Sequence, residues 1–333
     1  MRLPVGDRQE ALAVAAAAAG RPIHLLEKDV WVVWSLEILF GTSFAEHLVF
    51  KGGTSLSKAY GVIRRFSEDV DITYDIRALA PDLAGAVDEP LPATRSQEKR
   101  WTKEIRERLP VWIADQILPT MERALRDQNL SARATAKGEK VFIEYEPVTR
   151  RTGYAAPTVQ LEFGARSTGE PSETRTIGCD AHAQLPSLAF PTATVRAMRP
   201  ERTFWEKATA IHVFCAQGEF RGADRFARHW HDISRLDDAG YVDRALADRR
   251  LARAVAEHKS AFFREKDRDG VDVDHMAAVS RRLDLVPQGG ALEKLAEDYE
   301  RMLQDGLLLD DAEPFSNLLD RCRAIQAKAN ALG

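Results

Sequence analysis

The chain has 333 residues, a formal net charge of −4 and three cysteines. This length is enough for two hydrophobic cores, and three scattered cysteines exclude a disulfide framework. The weakly acidic balance argues against a protein that coats nucleic acid through its overall charge, although it allows a local basic face. We therefore expect two domains, residues 1–199 and 200–333, in a reducing compartment.

Two helices are predicted at the N-terminus. Apolar residues recur at helical spacing over residues 9–19 and 24–40. The first, alanine-rich run follows Asp7 and Glu10 and stops at Gly20, which is typical of an amphipathic helix and not of a signal sequence. No apolar run approaches the roughly 20 residues that cross a bilayer. We expect a cytoplasmic protein without a membrane partner.

A strand, a glycine turn, a short helix and a second strand are predicted next. Residues 48–50 form a short apolar run, and residues 69–75 alternate polar or acidic with apolar side chains. Between them lies a glycine pair followed by two candidate N-cap residues: Gly52, Gly53, Thr54 and Ser55.

The remaining pattern predicts an α+β domain with a mixed sheet, followed by a helical C-terminal bundle. Residues 81–94 are expected to form a loop and residues 95–128 one long or broken helix. Further strands are predicted at 140–147, 158–166, 174–178 and 193–198. From Pro200 onward the pattern is helical, and four tryptophans fall among aliphatic residues at core positions: Trp31, Trp34, Trp205 and Trp230.

Paired aspartates on the second strand are the first candidate site. Asp69 and Asp71 are two residues apart, so they point to one side of the strand while Val70 points into the core. Their oxygens suit Mg²⁺, or Mn²⁺ in its place, which they could hold as one shared ion or as two bridged ions. Glu162 is the predicted third carboxylate, and Glu144 and Glu146 are its competitors.

The glycine turn is the second candidate site. Backbone N–H groups of Gly52 and Gly53 at a helix start favour phosphate, and the hydroxyls of Thr54 and Ser55 add donors. Arg65 is a candidate phosphate ligand, with Glu68 as an alternative surface partner. Ser67 is a candidate nucleotide contact that could instead satisfy a backbone group at the strand entrance.

Residues 49–75 resemble the core of the AbiEii/AbiGii-type toxins, which have the glycine turn and the S-E-D-V-D pattern in this order. Residues 25–34 resemble the E-K-D helix that precedes that core. Residues 201–212 and 225–236 resemble the C-terminal lysine and R-H-x-x-D motifs of the family. The last hundred residues match nothing recognisable.

The resemblance implies a polymerase-β-like nucleotidyltransferase core in which Asp69 and Asp71 bind metal and Gly53 and Ser55 hold the triphosphate. It also implies that Lys207 contacts the phosphates of the NTP. The family pattern further places Asp232 in the C-terminal part of a pocket expected between the two domains. Without the family pattern, Lys207 would be an exposed helix lysine and Asp232 a surface partner of Arg228.

The expected function is therefore transfer of a nucleotide from an NTP to RNA, in particular tRNA, by a toxin with a cognate antitoxin. A nucleotidyltransferase that modifies a protein or a small molecule keeps the same core, and an idle NTP- or RNA-binding module is a further alternative. An antibiotic nucleotidyltransferase should present an acidic pocket instead. Basic clusters that could receive RNA lie at residues 99–108, 149–151, 196–202 and 221–228.

Overall fold

The computed structural model describes residues 3–65, 67, 69–85, 87–149, 156–220, 225–308 and 312–331. The chain divides into two compact units. The sheet unit comprises Met1–Ala59, Ser67–Pro90 and Lys103–Met198, and the helical unit comprises Tyr60–Phe66, Leu91–Thr102 and Arg199–Gly333. The main break therefore lies beside the predicted boundary at residue 199, but two earlier segments belong to the helical unit.

Seven strands and seven α-helices precede residue 199 in the described chain. The strands are β1 (Leu48–Lys51), β2 (Asp69–Tyr74), β3 (Ala132–Lys137), β4 (Lys140–Tyr145), β5 (Thr158–Gly164), β6 (Ser172–Gly178) and β7 (Thr192–Met198). The helices are α1 (Val5–Ala19), α2 (Ile23–Phe40), α3 (Gly52–Lys58), α4 (Ile76–Leu79), α5 (Pro81–Ala84), α6 (Arg95–Trp112) and α7 (Leu118–Asp127). A π-helical turn, Ile113–Ile117, lies between α6 and α7.

The strands form one mixed sheet in the order β3-β4-β5-β2-β1-β7-β6. Strand β2 pairs antiparallel with β1 and parallel with β5, and β1 also pairs parallel with β7. The remaining neighbours are antiparallel. The predicted fold class, α+β with a mixed sheet and C-terminal helices, is confirmed.

Two local predictions were wrong. Strand β3 was missed because its sequence, rich in alanine and cations, has Ala134 as its only buried residue at the sheet edge. Residues 81–94 were expected to be loop throughout, but Pro81 begins the short helix α5, where its fixed φ and missing N–H are tolerated. Residues 95–128, expected to form one long or broken helix, form α6 and α7 joined by the π-helical turn.

Helix α3 is held at both of its ends within the sheet unit. At its start, the Thr54 hydroxyl donates to the backbone carbonyl of Asp69. At its end, the Lys58 ammonium is buried between the carboxylates of Asp29 on α2 and Asp180, with 2.6 Å to the Asp180 oxygen. Because two neighbouring carboxylates outweigh the cost of burial, the pKa of Lys58 is raised and its charge persists. These contacts fix the glycine turn relative to β2.

The helical unit carries α8 (Pro200–Gln217), α9 (Arg228–Asp238), α10 (Tyr241–Ala247), α11 (Arg249–Phe262), α12 (His275–Ala278), α13 (Gly290–Gln304) and α14 (Phe315–Ala331). Trp205 and Trp230 are buried in it and donate their indole N–H to the carbonyls of Ala245 and Leu285. Trp31 and Trp34 are buried in the sheet unit, so the prediction that all four tryptophans are core residues is confirmed. No helix in the described part of the chain is long and apolar enough to cross a membrane.

Candidate active site

Asp69 and Asp71 lie on the same face of β2, as their spacing predicts. Val70 and Ile72 between and beside them are fully buried, while both aspartates are half-buried. The strand register places Asp71 opposite Lys51 of β1 on one side and Glu162 of β5 on the other. A row of charged residues therefore crosses the sheet on the side opposite to Val70.

Asp71 lies directly against Gly52. The glycine has a φ of 77°, in the left-handed region, and a Cβ built there would stand 2.0 Å from Oδ2 of Asp71. No side chain fits at that distance, and a non-glycine residue would also be strained by the backbone angle. Two physical reasons therefore require glycine at this turn. One is the positive φ, and the other is the carboxylate of Asp71, which is itself the metal-ligand candidate.

Glu162, the predicted third carboxylate, sits beside Asp71 in the sheet but has other partners. Its Oε2 is 2.9 Å from the ammonium of Lys140 and 3.3 Å from Nε2 of Gln160. The Gln160 amide also donates to Oδ1 of Asp69 at 2.9 Å. Among the residues that the structure describes, no three His, Cys, Asp or Glu side chains form a group that could hold a metal ion.

The competing carboxylates lie further along the sheet. On β5, Glu144 is opposite Thr158, whereas Asp69 is opposite Gln160, two residues further along. The carboxylate of Glu144 pairs with Arg133 at 2.6 Å. Glu146 follows the end of β4 and is exposed. Two residues absent from the predictions, Gln160 and Lys140, thus contact the carboxylates instead. Gln160 was detectable, because it precedes Glu162 by two residues and so shares its face of the strand.

Thr54 and Ser55 do not cap α3, because the helix already begins at Gly52. The Thr54 hydroxyl is engaged by the Asp69 carbonyl. The Ser55 hydroxyl is different: the residue is 1% exposed, and its Oγ has no hydrogen-bond partner among the residues that the structure describes. A buried hydroxyl without a partner is costly, and a ligand oxygen could satisfy it.

Arg65, Lys207 and Asp232 form a second charged cluster, inside the helical unit. Nε and Nη2 of Arg65 donate to the two oxygens of Asp232 at 2.6 and 2.8 Å. The Lys207 ammonium is 2.9 Å from Oδ2 of the same carboxylate. Asp232 is 0% exposed, Arg65 5% and Lys207 8%. Lys207 is thus not the exposed helix lysine of the alternative interpretation.

The cluster fixes the protonation states around it. Burial alone would raise the pKa of Asp232, but Arg65 and Lys207 hold it well below its usual range. Burial and the charges of Lys207 and Arg228 keep the pKa of the neighbouring His229 well below 6.5. Asp232 is therefore a carboxylate and His229 a neutral imidazole near pH 7.

Ser67 is half-buried, and Glu68, the proposed alternative partner of Arg65, lies outside the described residues. Several cations of the basic clusters are paired with acids. Arg108 pairs with Asp82, Arg196 with Glu170, and the fully buried Arg202 with Glu206. Residues 150–151 and 221–224 of the other two clusters also lie outside the described residues.

A family model for the nucleotidyl transferase AbiEii toxin of type IV toxin–antitoxin systems matches residues 37–321. The chain belongs to the AbiEii family. It is accordingly a nucleotidyltransferase toxin of the type IV class. The predicted resemblance is confirmed, with two changes in its extent: the E-K-D helix at 25–34 precedes the matched range, and most of the last hundred residues, expected to match nothing, lie within it.

One solved structure similar to this AbiEii protein is MenT4, a nucleotidyltransferase toxin from Mycobacterium tuberculosis H37Rv. The match covers 96% of this chain and 98% of MenT4, with 16% sequence identity and a TM-score of 0.41. A search among curated proteins finds no match. A type IV toxin implies a cognate antitoxin as partner and a nucleotide as substrate.

Proposed function

We propose that this AbiEii protein transfers a nucleotide from an NTP to an RNA acceptor, with tRNA as the first candidate, and that Asp69 and Asp71 hold the divalent cation of the reaction. The observation that carries the proposal is the packing of Asp71 against Gly52. It brings a carboxylate next to a backbone that no side chain shields.

The residues present fit a hard divalent cation. Asp69 and Asp71 offer carboxylate oxygens from one half-buried face, which is the ligand chemistry of Mg²⁺ and Mn²⁺. When bound, the cation would neutralise charge on the triphosphate and lower the pKa of an attacking hydroxyl. Gln160 orients Asp69 through its amide hydrogen bond.

Phosphate binding is proposed for the turn and the start of α3. The backbone N–H groups of Gly52 and Gly53 allow close approach of a phosphate. The partnerless Ser55 hydroxyl supports a donor role toward the same ligand. Thr54 is assigned a positioning role, because its hydroxyl already holds β2.

Lys207 is proposed to contact the phosphates of the NTP, as the family resemblance implies. The carboxylate of Asp232 holds the ammonium of Lys207 in place through their 2.9 Å contact. The Arg65 guanidinium donates two hydrogen bonds to Asp232. We therefore assign Arg65 to positioning Asp232 and not to binding phosphate. Ser67 remains a candidate nucleotide contact.

The test is incubation of the purified protein with each α-³²P-labelled NTP, Mg²⁺ and total tRNA, beside an Asp69→Ala/Asp71→Ala control. We expect label in the RNA with the wild type only, and the labelled NTP identifies the transferred nucleotide. Label in protein or in a small molecule instead of RNA would show that the acceptor belongs to one of these alternative classes. NTP binding without any transfer would indicate an idle module, and absence of NTP binding would overturn the site.

Lys207→Met and Ser55→Ala separate the two phosphate assignments. Each should raise the KM for the NTP, and Ser55→Ala removes only a hydroxyl that has no partner within the described part of the chain. Thr54→Val serves as the matched control, since Thr54 is assigned to positioning. An unchanged KM in Ser55→Ala would remove Ser55 from the proposed nucleotide site.

A further inference from the structure

A cavity of about 690 Å³ lies in the sheet unit between α1 and α2, and residues 188–191 form part of its wall. None of the residues proposed for nucleotide transfer lines it. Cavities of this volume are of the size that holds small organic ligands, which occupy roughly 300–1,000 Å³. The cavity is therefore separate from the residues proposed for nucleotide transfer.

Aromatic and aliphatic side chains form part of its wall. Trp31 and Phe190 contribute aromatic rings, and Leu12 and Val30 contribute aliphatic side chains. Trp31 is held in place by stacking on Tyr145, with ring centroids 5.0 Å apart and an interplanar angle of 15°. A rigid aromatic wall of this kind favours a planar apolar molecule.

Two charged residues at the wall have unused hydrogen-bonding capacity. Glu27 is 3% exposed, and among the described residues both of its oxygens share one donor, the Val148 N–H, at 3.1 Å. The Nε of Arg8 is buried and finds no acceptor in the described ranges of the chain, although the guanidinium is near enough to Glu27 to act on its charge. A carboxylate can accept several hydrogen bonds, and a buried donor without an acceptor costs free energy.

We propose that this cavity binds a small planar, apolar molecule that ends in a carboxamide or lactam group. The carbonyl oxygen of the ligand accepts from Nε of Arg8, and its N–H donates to the free acceptor positions of Glu27. The ring system lies against Trp31 and Phe190. The amide oxygen of Gln128, also in the wall, is engaged, because it accepts from Trp34 Nε1 at 2.9 Å.

Naphthalene carboxamide is the probe, and the methyl ester of naphthalene carboxylic acid is the matched probe without an N–H donor. Binding to the full chain is measured by isothermal titration calorimetry. We expect one carboxamide per protein and about tenfold weaker binding of the ester, because one hydrogen bond to a charged group is lost. Arg8→Met keeps the aliphatic stem and removes the donor, so it should weaken the carboxamide about tenfold as well.

Ala11→Phe adds a ring to the α1 wall of the cavity and should abolish binding. Ala18→Phe adds the same ring at an exposed position two turns further along α1, which does not line the cavity, and should leave binding unchanged. Failure of the carboxamide to bind the wild type would overturn the proposal, as would equal binding to the wild type and to a folded Ala11→Phe variant. Binding of carboxamide and ester with equal affinity, unaffected by Arg8→Met, would overturn the assignment of Arg8 and Glu27.

Discussion

Asp71 of the sheet unit and Asp232 of the helical unit are both proposed site residues, but their surroundings differ. Asp71 is half-buried beside a bare glycine, whereas Asp232 is fully buried and held by three donors from Arg65 and Lys207. A half-exposed carboxylate can exchange a water for a cation, whereas a buried one with two cationic partners stabilises the fold that surrounds it. Family membership alone does not distinguish these two roles.

The largest expected effect is the loss of stability in Asp232→Ala. Removal of the carboxylate leaves Arg65 and Lys207 buried without their partner, which should lower the free energy of unfolding by about 3–5 kcal/mol. Urea denaturation measures it. Asp71→Ala is the comparison and should stay within about 1 kcal/mol, as expected for a half-exposed group. Equal losses in the two variants would break the distinction between the units.

Gly52→Ala should damage transfer more than stability. The backbone strain at φ 77° costs about 1–2 kcal/mol, and displacement of Asp71 by roughly 1 Å should lower kcat about a hundredfold. Gly138→Ala, on the β3–β4 turn, is the matched control, because Gly138 also has positive φ, at 60°, but a Cβ added there would meet nothing within 4 Å. If both variants lose the same activity, the contact with Asp71 is not the cause.

Asp71→Asn and Glu162→Gln compare a proposed ligand with its neighbour in the sheet. Asp71→Asn should weaken Mn²⁺ binding by about tenfold or more, and Glu162→Gln by about twofold at most, since Glu162 is occupied by Lys140. Electron paramagnetic resonance of free Mn²⁺ gives both affinities without any turnover. A loss in Glu162→Gln as large as in Asp71→Asn would restore Glu162 as a third metal ligand.

The smallest expected effect is a difference in pH dependence between the units. Burial lowers the pKa of His212, His229 and His275 in the helical unit below 6.5. As the pH falls below about 6.5, the unfolded chain binds protons that the folded histidines do not, so stability falls. His229 alone should contribute about 1 kcal/mol between pH 7 and pH 5.5.

Glu27 in the sheet unit should act in the opposite direction. Its pKa is raised by burial, so the folded state holds a proton more tightly than the unfolded state, and stability rises as the pH falls toward 4.5. Thermal unfolding of His229→Gln and Glu27→Gln from pH 7 to pH 5 separates the contributions of the two residues to the pH dependence of stability. His229→Gln should flatten the acid-side loss and Glu27→Gln should steepen it, and unchanged profiles would contradict both assignments.

The sequence by itself determined the local structure around the site, from the first strand through the glycine turn to the second strand. Alternation along residues 69–74 placed Asp69 and Asp71 on one face and Val70 in the core, because strand periodicity is a local property of the backbone. The glycine turn and the family pattern were readable for the same reason, since their residues are close in the chain. Glu162 was likewise predicted to lie on a strand, whereas its role as a third metal ligand stays a prediction.

Only the tertiary structure decided the partners. Lys140 reaches Glu162 because β4 pairs with β5, and Arg65 reaches Asp232 across 167 positions of the chain. Strand order and helix packing choose such partners, and no local pattern encodes them. Helix packing therefore buries Asp232 against Arg65 and Lys207, and strand pairing leaves Asp71 half-buried beside Gly52.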